Sequence, residues 1–101
     1  MTATHSTSPS LAPLLHEVSQ QTWPTATLYV VATPIGNAGD ITLRGINALA
    51  LADAVACEDT RNTGHLLARF GLTKELLAAH EHNEREAAER IIARLQAGQR
   101  I

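Results

Sequence analysis

Apolar residues occur in two patterns along the chain, as continuous runs and at helical spacing, and these patterns predict alternating strands and helices. A continuous apolar run at Leu28–Ala32 predicts a strand covered on both faces, and a second, shorter apolar run predicts a strand at Asp53–Cys57. Apolar residues spaced three and four apart predict helices at Thr42–Leu51, Arg61–Phe70 and Glu84–Ala97. This alternation is typical of an α/β domain with a mostly parallel sheet flanked by helices.

Polar residues in front of the three helices predict how each helix begins. Asp40 or Thr42 is expected to cap the first helix, and Thr60 the second. Asn83 is followed three residues later by Glu86, which resembles a capping box at the start of the third helix.

Three other segments carry weaker signals. Residues 1–26 are rich in Ser, Thr and Pro and predict a poorly ordered N-terminal extension, with one or two turns of helix that pack through leucines. Leu76–Ala79 is expected to form a short extended or 3₁₀ stretch. Residues 99–101 resemble the first residues of another strand. Because a core of this size is marginal on its own and the last residues start a further strand, the chain is interpreted as the front of a longer protein.

Composition and charge limit the binding partners and the cellular location that can be expected for the chain. The formal net charge of −2 argues against tight, nonspecific nucleic-acid binding by this chain alone. A single cysteine, Cys57, excludes a disulfide framework and favours a reducing compartment. No apolar run approaches the roughly 18 residues of a membrane span. The first Lys or Arg is Arg44, so signal and transit peptides are not expected, and a cytoplasmic location is predicted.

Three polar clusters follow apolar elements, at Pro34–Asp40, Glu58–Thr63 and His80–Glu84. Because the carboxyl ends of parallel strands meet at one edge of a sheet, these clusters are expected to form one functional edge. The first cluster lacks the lysine of a phosphate-binding loop and lacks the Gly-x-Gly-x-x-Gly fingerprint of dinucleotide sites. It is either a loop that approaches a small ligand with its backbone or a plain structural turn.

Two adjacent carboxylates, Glu58 and Asp59, mark the second cluster. Side chains that are neighbours on a strand point to opposite faces, so both cannot easily reach one site. One carboxylate is expected at a cleft and the other in an ion pair with Arg61 or Arg44.

The third cluster contains two histidines, His80 and His82, one residue apart. This spacing is a weak metal signal without a third ligand, and no metal site is predicted. Surface histidines are the simpler interpretation, and a neutral histidine would also suit a proton acceptor near pH 7.

Together the three clusters resemble a known family. The matching runs are LYVVATPIGNAGDITLR, ACEDTRNTGHLLARFG and HEHNE, in this order. They resemble the ribosomal RNA small-subunit methyltransferase I group of the tetrapyrrole (corrin/porphyrin) methylases. The resemblance covers about residues 27–101, and three motifs in order are far more specific than one glycine loop.

The resemblance implies a homodimer with two α/β domains and S-adenosylmethionine bound between them. Residues 27–101 would then be a partial, truncated N-terminal α/β domain, and the C-terminal domain would be absent. It implies methyl transfer to the ribose 2′-hydroxyl of a cytidine in 16S ribosomal RNA. The implied cofactor-binding residues are Pro34, Ile35, Gly36 and Asn37. The implied substrate-binding residues are Glu58, Thr60, Arg61, His82, Asn83 and Glu84. Asp59 or His80 is the candidate base that accepts the hydroxyl proton.

Two other functions stay open. One is a methylase acting on a tetrapyrrole or another small substrate, although such relatives typically carry a Gly-Pro-Gly-Asp-like first loop. The other is a non-catalytic, dimerising remnant of the fold. This chain alone is expected to bind S-adenosylmethionine weakly or not at all, and micromolar binding in a calorimetric titration would contradict that expectation.

Overall fold

A computed structural model of the chain describes residues 8–101, and the part of the predicted extension before Ser8 lies outside this range. The helices are α1 (Ala12–Ser19), α2 (Leu43–Leu51), α3 (Thr60–Arg69) and α4 (Glu84–Gln96), with a short 3₁₀ helix at Ala38–Asp40. The strands are β1 (Ala54–Cys57) and β2 (Glu75–Ala78). No helix among the described residues is both long and apolar enough to cross a membrane.

The two strands pair in parallel, and α3 connects them. Ala54 lies opposite Glu75, and Cys57 lies opposite Ala78. The expected extended stretch near Leu76 is thus a paired strand, with Leu77 buried on β1. The predicted strand at Asp53–Cys57 is confirmed with one residue fewer.

The predicted strand at Leu28–Ala32 is wrong as a strand, because this segment forms one isolated parallel bridge, between Thr27 and Arg100. The Tyr29 N–H also donates to the Ile101 carbonyl at 2.9 Å. Among the described residues, no further ladder bond of this segment is recorded, so an apolar run suited to a strand has too short a ladder to be one.

Helices pack on both faces of the sheet. Val55 of β1 contacts the cluster built by Leu49 of α2 and Leu67 of α3. Ala54 and Leu77 contact a different cluster, which includes Ile91 and Leu95 of α4. Side chains of successive strand residues point to opposite faces, so α2 and α3 cover one face and α4 covers the other. The predicted α/β architecture with a parallel sheet flanked by helices is confirmed.

Residues 8–26, the described part of the expected loose extension, contain a helix and a buried contact. Helix α1 packs through Val18, which forms a buried cluster with Trp23 and Ala48 of α2. The Trp23 indole N–H donates to the Val18 carbonyl at 3.0 Å, which satisfies the polar atom of a buried ring. Leu11 and Leu14 stay nearly half exposed. The contact therefore comes from a valine and a tryptophan rather than from leucines.

Helices α2 and α3 begin with different kinds of cap. Thr42 caps α2 as expected, since its hydroxyl accepts from the Gly45 N–H at 2.9 Å. Thr60, the expected cap of the second helix, is already helical, and Asp59 caps α3 instead. A carboxylate at this position satisfies free N–H groups and also lies favourably at the positive end of the helix dipole.

Arg94 of α4 forms a bidentate ion pair with Glu75 of β2, with N–O distances of 2.7 and 2.8 Å. The hydrogen bond from Arg94 lowers the pKa of Glu75 below its ordinary value of 4.5. A lowered folded-state pKa adds stability above the unfolded pKa, and this stability is lost as the pH falls through the folded pKa. We expect Glu75→Gln to flatten the acid side of the stability curve slightly, measured as urea midpoints at pH 7 and pH 3.

The matched control is Glu86→Gln, which removes an exposed carboxylate on the same helix that holds Arg94. It should leave the difference between the two urea midpoints unchanged. An equal change in both variants would assign the acid effect to net charge instead of to the ion pair. The expected effect is small, because Glu75 is exposed and solvent screens the pair.

Candidate functional site

The three polar clusters follow the segment that ends at Thr33, strand β1 and strand β2, at the same edge of the fold. Two open hollows connect them. The loop hollow lies between the first loop and α3 and is lined by Thr33, Pro34, Gly36, Asn37, Ala38, Asn62, Thr63, Leu66 and Arg69. The histidine hollow is lined by Glu58, Asp59, Thr60, Asn62, Ala78, His80, Glu81 and His82. Asn62 lines both hollows, so the two form neighbouring parts of one edge.

The first loop is held by its own hydrogen bonds. The Asn37 side chain accepts from the Gly39 N–H at 3.0 Å, which starts the 3₁₀ helix. Gly36 has a φ of +79°, a conformation that favours glycine, and open space surrounds the position of a Cβ there. Ile35 is 97% exposed and does not line the loop hollow, unlike the other three predicted cofactor-binding residues.

The start of α3 fixes one carboxylate. Asp59 accepts through Oδ1 from the backbone N–H groups of Arg61 and Asn62, at 3.0 and 3.2 Å. Within residues 8–101, no partner is recorded for its Oδ2 atom. The expected ion pair with an arginine is wrong: within residues 8–101 neither Arg61 nor Arg44 pairs with Glu58 or Asp59, and Arg44 bonds Gln21 and lies over the Trp23 ring instead. Asp59 therefore keeps one oxygen available in the histidine hollow.

Asn83 closes the turn that carries the histidines. Its Oδ1 atom accepts from the His80 N–H at 2.8 Å, and its Nδ2 atom donates to the Ala78 carbonyl at 2.9 Å. The expected capping box with Glu86 is wrong, because this side chain makes no capping bond to α4. Both ends of the Asn83 amide are used inside the protein, so Asn83 positions the turn.

The His80 ring has a defined tautomer in this turn. Its Nδ1 atom accepts from the His82 N–H at 3.2 Å. A backbone N–H can only donate, so Nδ1 carries no proton and the neutral ring carries its proton on Nε2. In this arrangement Nε2 is a donor. Of the two candidate bases, Asp59 is thus the one with a free acceptor atom.

The other predicted site residues lie in different places. Glu84 lines a further hollow against α4, and Glu58 lines both that hollow and the histidine hollow. Arg61 is exposed and lines neither the loop hollow nor the histidine hollow. The His82 Nε2 atom lies 3.5 Å from Glu81 Oε1, and both side chains are strongly exposed. Among the described residues, no group of three or more His, Cys, Asp or Glu side chains is arranged to hold a metal ion.

Sequence reasoning missed three residues of this edge. Asn62, Thr63 and Arg69 line the loop hollow from α3. Asn62 and Thr63 belong to the second polar cluster, but the apolar stripe with Leu66 and Leu67 predicts only which face of the helix is buried. Asn62 lies seven residues, about two helical turns, before Arg69, and this spacing would have placed these two residues on one face of α3.

Removing the Asn83 side chain tests how strongly it holds the histidine turn. We expect Asn83→Ala to lower the free energy of unfolding by about 1–2 kcal/mol, because two partly buried backbone groups lose their partners. Urea denaturation measures this loss, and hydrogen exchange at the His80 amide should accelerate.

Asn83→Asp is the matched variant, since it keeps the Oδ1 acceptor and loses the Nδ2 donor. Its loss of stability should be intermediate, with the His80 amide still protected at neutral pH. Full stability in Asn83→Ala would mean that the turn is held by other contacts.

The comparisons with known proteins agree with this architecture. The family model of the tetrapyrrole (corrin/porphyrin) methylases matches residues 27–101. The chain belongs to this family, the class of α/β methylases.

Individual relatives share a more particular description. Proteins of Mesorhizobium japonicum and Escherichia coli O157:H7 are 57% and 53% identical to this chain over 74 residues. A protein of Erythrobacter litoralis is 58% identical over 66 residues. All three carry the name ribosomal RNA small subunit methyltransferase I. The matches cover 73%, 73% and 65% of this chain but 25%, 26% and 24% of the relatives, so the chain spans about a quarter of their length.

Proposed function

We propose that this chain supplies one wall of an S-adenosylmethionine site in a small-subunit ribosomal RNA methyltransferase. The proposed substrate is the ribose 2′-hydroxyl of a cytidine in 16S ribosomal RNA, and the proposed working form is a cytoplasmic homodimer. The observation that carries the proposal is the meeting of three polar clusters at one edge of a methylase-family fold.

The loop hollow suits the proposed cofactor. Within residues 8–101, no hydrogen-bond acceptor is recorded for the backbone N–H groups of Gly36 and Asn37. Open space at the Gly36 Cβ position lets a ligand come close to the backbone there. Arg69 adds a positive charge to the same hollow, which suits the carboxylate of the amino-acid part. When bound, S-adenosylmethionine supplies an electrophilic methyl group on a sulfonium.

The histidine hollow suits the proposed acceptor of the methyl group. Transfer requires the hydroxyl oxygen in line with the methyl group, so positioning is a large part of the rate. The free Oδ2 of Asp59 is the proposed acceptor of the hydroxyl proton. The Nε2 proton of His80 is a donor for a ribose or phosphate oxygen.

The RNA assignment is supported by the names of the relatives and by the polar character of the edge. With a net charge of −2, the chain offers no strong phosphate-binding surface of its own. We therefore assign most of the RNA affinity to the remainder of a full-length enzyme and to the assembled small ribosomal subunit.

A segment exchange tests the proposal. Residues 27–101 replace the matching segment of the E. coli O157:H7 relative, to which this chain is 53% identical. The exchanged enzyme is incubated with labelled S-adenosylmethionine and small ribosomal subunits from cells that lack the relative. We expect label in 16S ribosomal RNA, recovered as 2′-O-methylcytidine by mass spectrometry of the nucleosides.

The unmodified relative is the positive control, and circular dichroism checks that the exchanged enzyme is folded. A folded enzyme that labels no RNA would contradict the proposal. Label transferred to a tetrapyrrole precursor would favour the small-substrate methylase. A folded dimer with no transfer to either substrate would favour the non-catalytic alternative.

A further inference from the structure

The solvent-facing side of α3 carries three basic residues at a spacing of four, Arg61, His65 and Arg69. Residues at this spacing are neighbours on one face of a helix. Leu67, which is 1% exposed, marks the opposite, buried face. All three basic residues are exposed, and we call this row the basic stripe.

The positive charge of the basic stripe is not used inside the protein. Within residues 8–101, no hydrogen bond or ion pair is recorded for its side chains. Helix α3 contains no Asp or Glu residue. Asp59, just before the helix, accepts from backbone N–H groups through its Oδ1 atom instead. The guanidinium groups of Arg61 and Arg69 are therefore available to an external anion.

Helix α4 shows the opposite arrangement of charge. It contains three glutamates and three arginines, so both signs occur along it. Glu86 precedes Arg90 by four residues, which is the spacing of a favourable pair. Arg94 holds Glu75 of β2. The positive charge of α4 is thus balanced by neighbouring carboxylates, whereas the positive charge of α3 is not.

The basic stripe runs along the outside of the candidate site. Asp59 and Thr60 line the histidine hollow, but Arg61, the next residue, lies outside both hollows. At the other end of the stripe, Arg69 lines the loop hollow. Eight residues of α-helix separate the two arginines, which is about 12 Å along the axis. A ligand bound along the stripe therefore lies beside the site rather than inside it.

The chemistry and the length of the stripe favour an extended polyanion. Arginine donates two parallel hydrogen bonds to a phosphate group, and a single RNA strand presents phosphates in a row. Contacts to phosphates fix the position and direction of a strand without reading its sequence. A stripe outside the histidine hollow is suited to hold the nucleotides on either side of one whose ribose enters the hollow.

We propose that the basic stripe binds the phosphate groups of the RNA nucleotides next to the methylated one. The identity of the strand rests on the proposed function. The inference gives Arg61 a contact outside the hollows, and it makes Arg69 the border between RNA and cofactor. Two or three phosphate contacts are few, so the stripe orients the RNA more than it adds affinity, which agrees with the net charge of −2.

Binding of a short oligouridylate to the chain tests the stripe without any methyl transfer. Two-dimensional NMR spectra of the nitrogen-15-labelled chain record the amide and arginine Nε signals. We expect the signals of Arg61, His65 and Arg69 to move at low salt and to return at high salt, because phosphate binding releases counterions. The signals of Arg85 and Arg90 on α4 are the internal control and should stay in place. Unmoved stripe signals, or equal movement on both helices, would overturn the proposal.

The segment-exchanged enzyme tests what the stripe contributes to the reaction. Arg61→Gln combined with His65→Gln should raise the KM for small ribosomal subunits roughly fivefold, with kcat and the KM for S-adenosylmethionine unchanged. The plot of log kcat/KM against log salt concentration should flatten by about 0.7 for each lost phosphate contact. The matched control is Arg85→Gln combined with Arg90→Gln, which removes at least as much positive charge from α4 and should leave all three constants unchanged.

A higher KM for S-adenosylmethionine with an unchanged KM for subunits would overturn the RNA contact in favour of a cofactor contact. Equal effects of the two double variants would overturn it in favour of net charge. If the exchanged enzyme without these substitutions methylates no RNA, the proposed function fails instead. The NMR titration then still decides whether the stripe binds phosphate groups.

Discussion

Asp59→Asn in the segment-exchanged enzyme is expected to lower kcat for RNA methylation on the order of 10²- to 10⁴-fold, the usual contribution of a general base. Asparagine is also a good helix cap, so the bonds to the Arg61 and Asn62 N–H groups are retained. The change therefore removes the proton acceptor and leaves α3 in place. Single-turnover methylation of small ribosomal subunits measures the effect.

Two further variants separate the acceptor role from a structural one. Asp59→Ala should lower activity equally and also lower the free energy of unfolding by about 1 kcal/mol, because the cap is lost. His80→Asn should cost much less activity, since the Nδ1 atom of His80 is already occupied by the His82 N–H. A large loss in His80→Asn together with an active Asp59→Asn would reverse the assignment of the base.

Leu67→Ala is expected to lower the free energy of unfolding by about 2–5 kcal/mol, the range for a buried leucine. Leu67 is 1% exposed and joins α3 to Ile41 and Leu49 in one cluster. A domain of this size has a stability of about 5–15 kcal/mol, and smaller cores lie at the low end. The variant should therefore be largely unfolded at 37 °C, as measured by circular dichroism during a thermal scan.

Leu51→Ala is the matched control, because Leu51 ends α2 and is 38% exposed. It should lower the free energy of unfolding by less than about 1.5 kcal/mol, since it removes less buried surface. Similar losses in the two variants would contradict the role of Leu67 as the central core residue.

The helices could be predicted closely from the sequence. Helix α4 begins at Glu84 as predicted and ends within one residue of the predicted end, because a strong period of apolar residues and a following Gly98 define it. The strands were harder to predict. Leu28–Ala32 has the more convincing apolar run, yet Glu75–Ala78 is the segment that pairs. Pairing depends on a partner distant in the chain, and a local pattern does not contain that partner.

The candidate site could also be predicted only in part from the sequence. The three polar clusters could be found from the sequence because each stands after an apolar run. Their hydrogen bonds could not. Asp59 replaces Thr60 as the cap, and Asn83 bonds to the histidine turn rather than to α4. Several polar neighbours compete for each cap or turn bond, and the exact course of the backbone decides which one reaches it.

Local periodicity and the order of residue types were enough to predict the α/β class, the positions of the helices, the three clusters and the family resemblance. Three other features became visible only in the folded chain: Asn62 joins the two hollows, the His80 Nδ1 atom accepts from the His82 N–H, and an apolar cavity lies beside β1. These features arise where distant segments meet. Their distances and free hydrogen-bonding groups are set by packing, which no local pattern encodes.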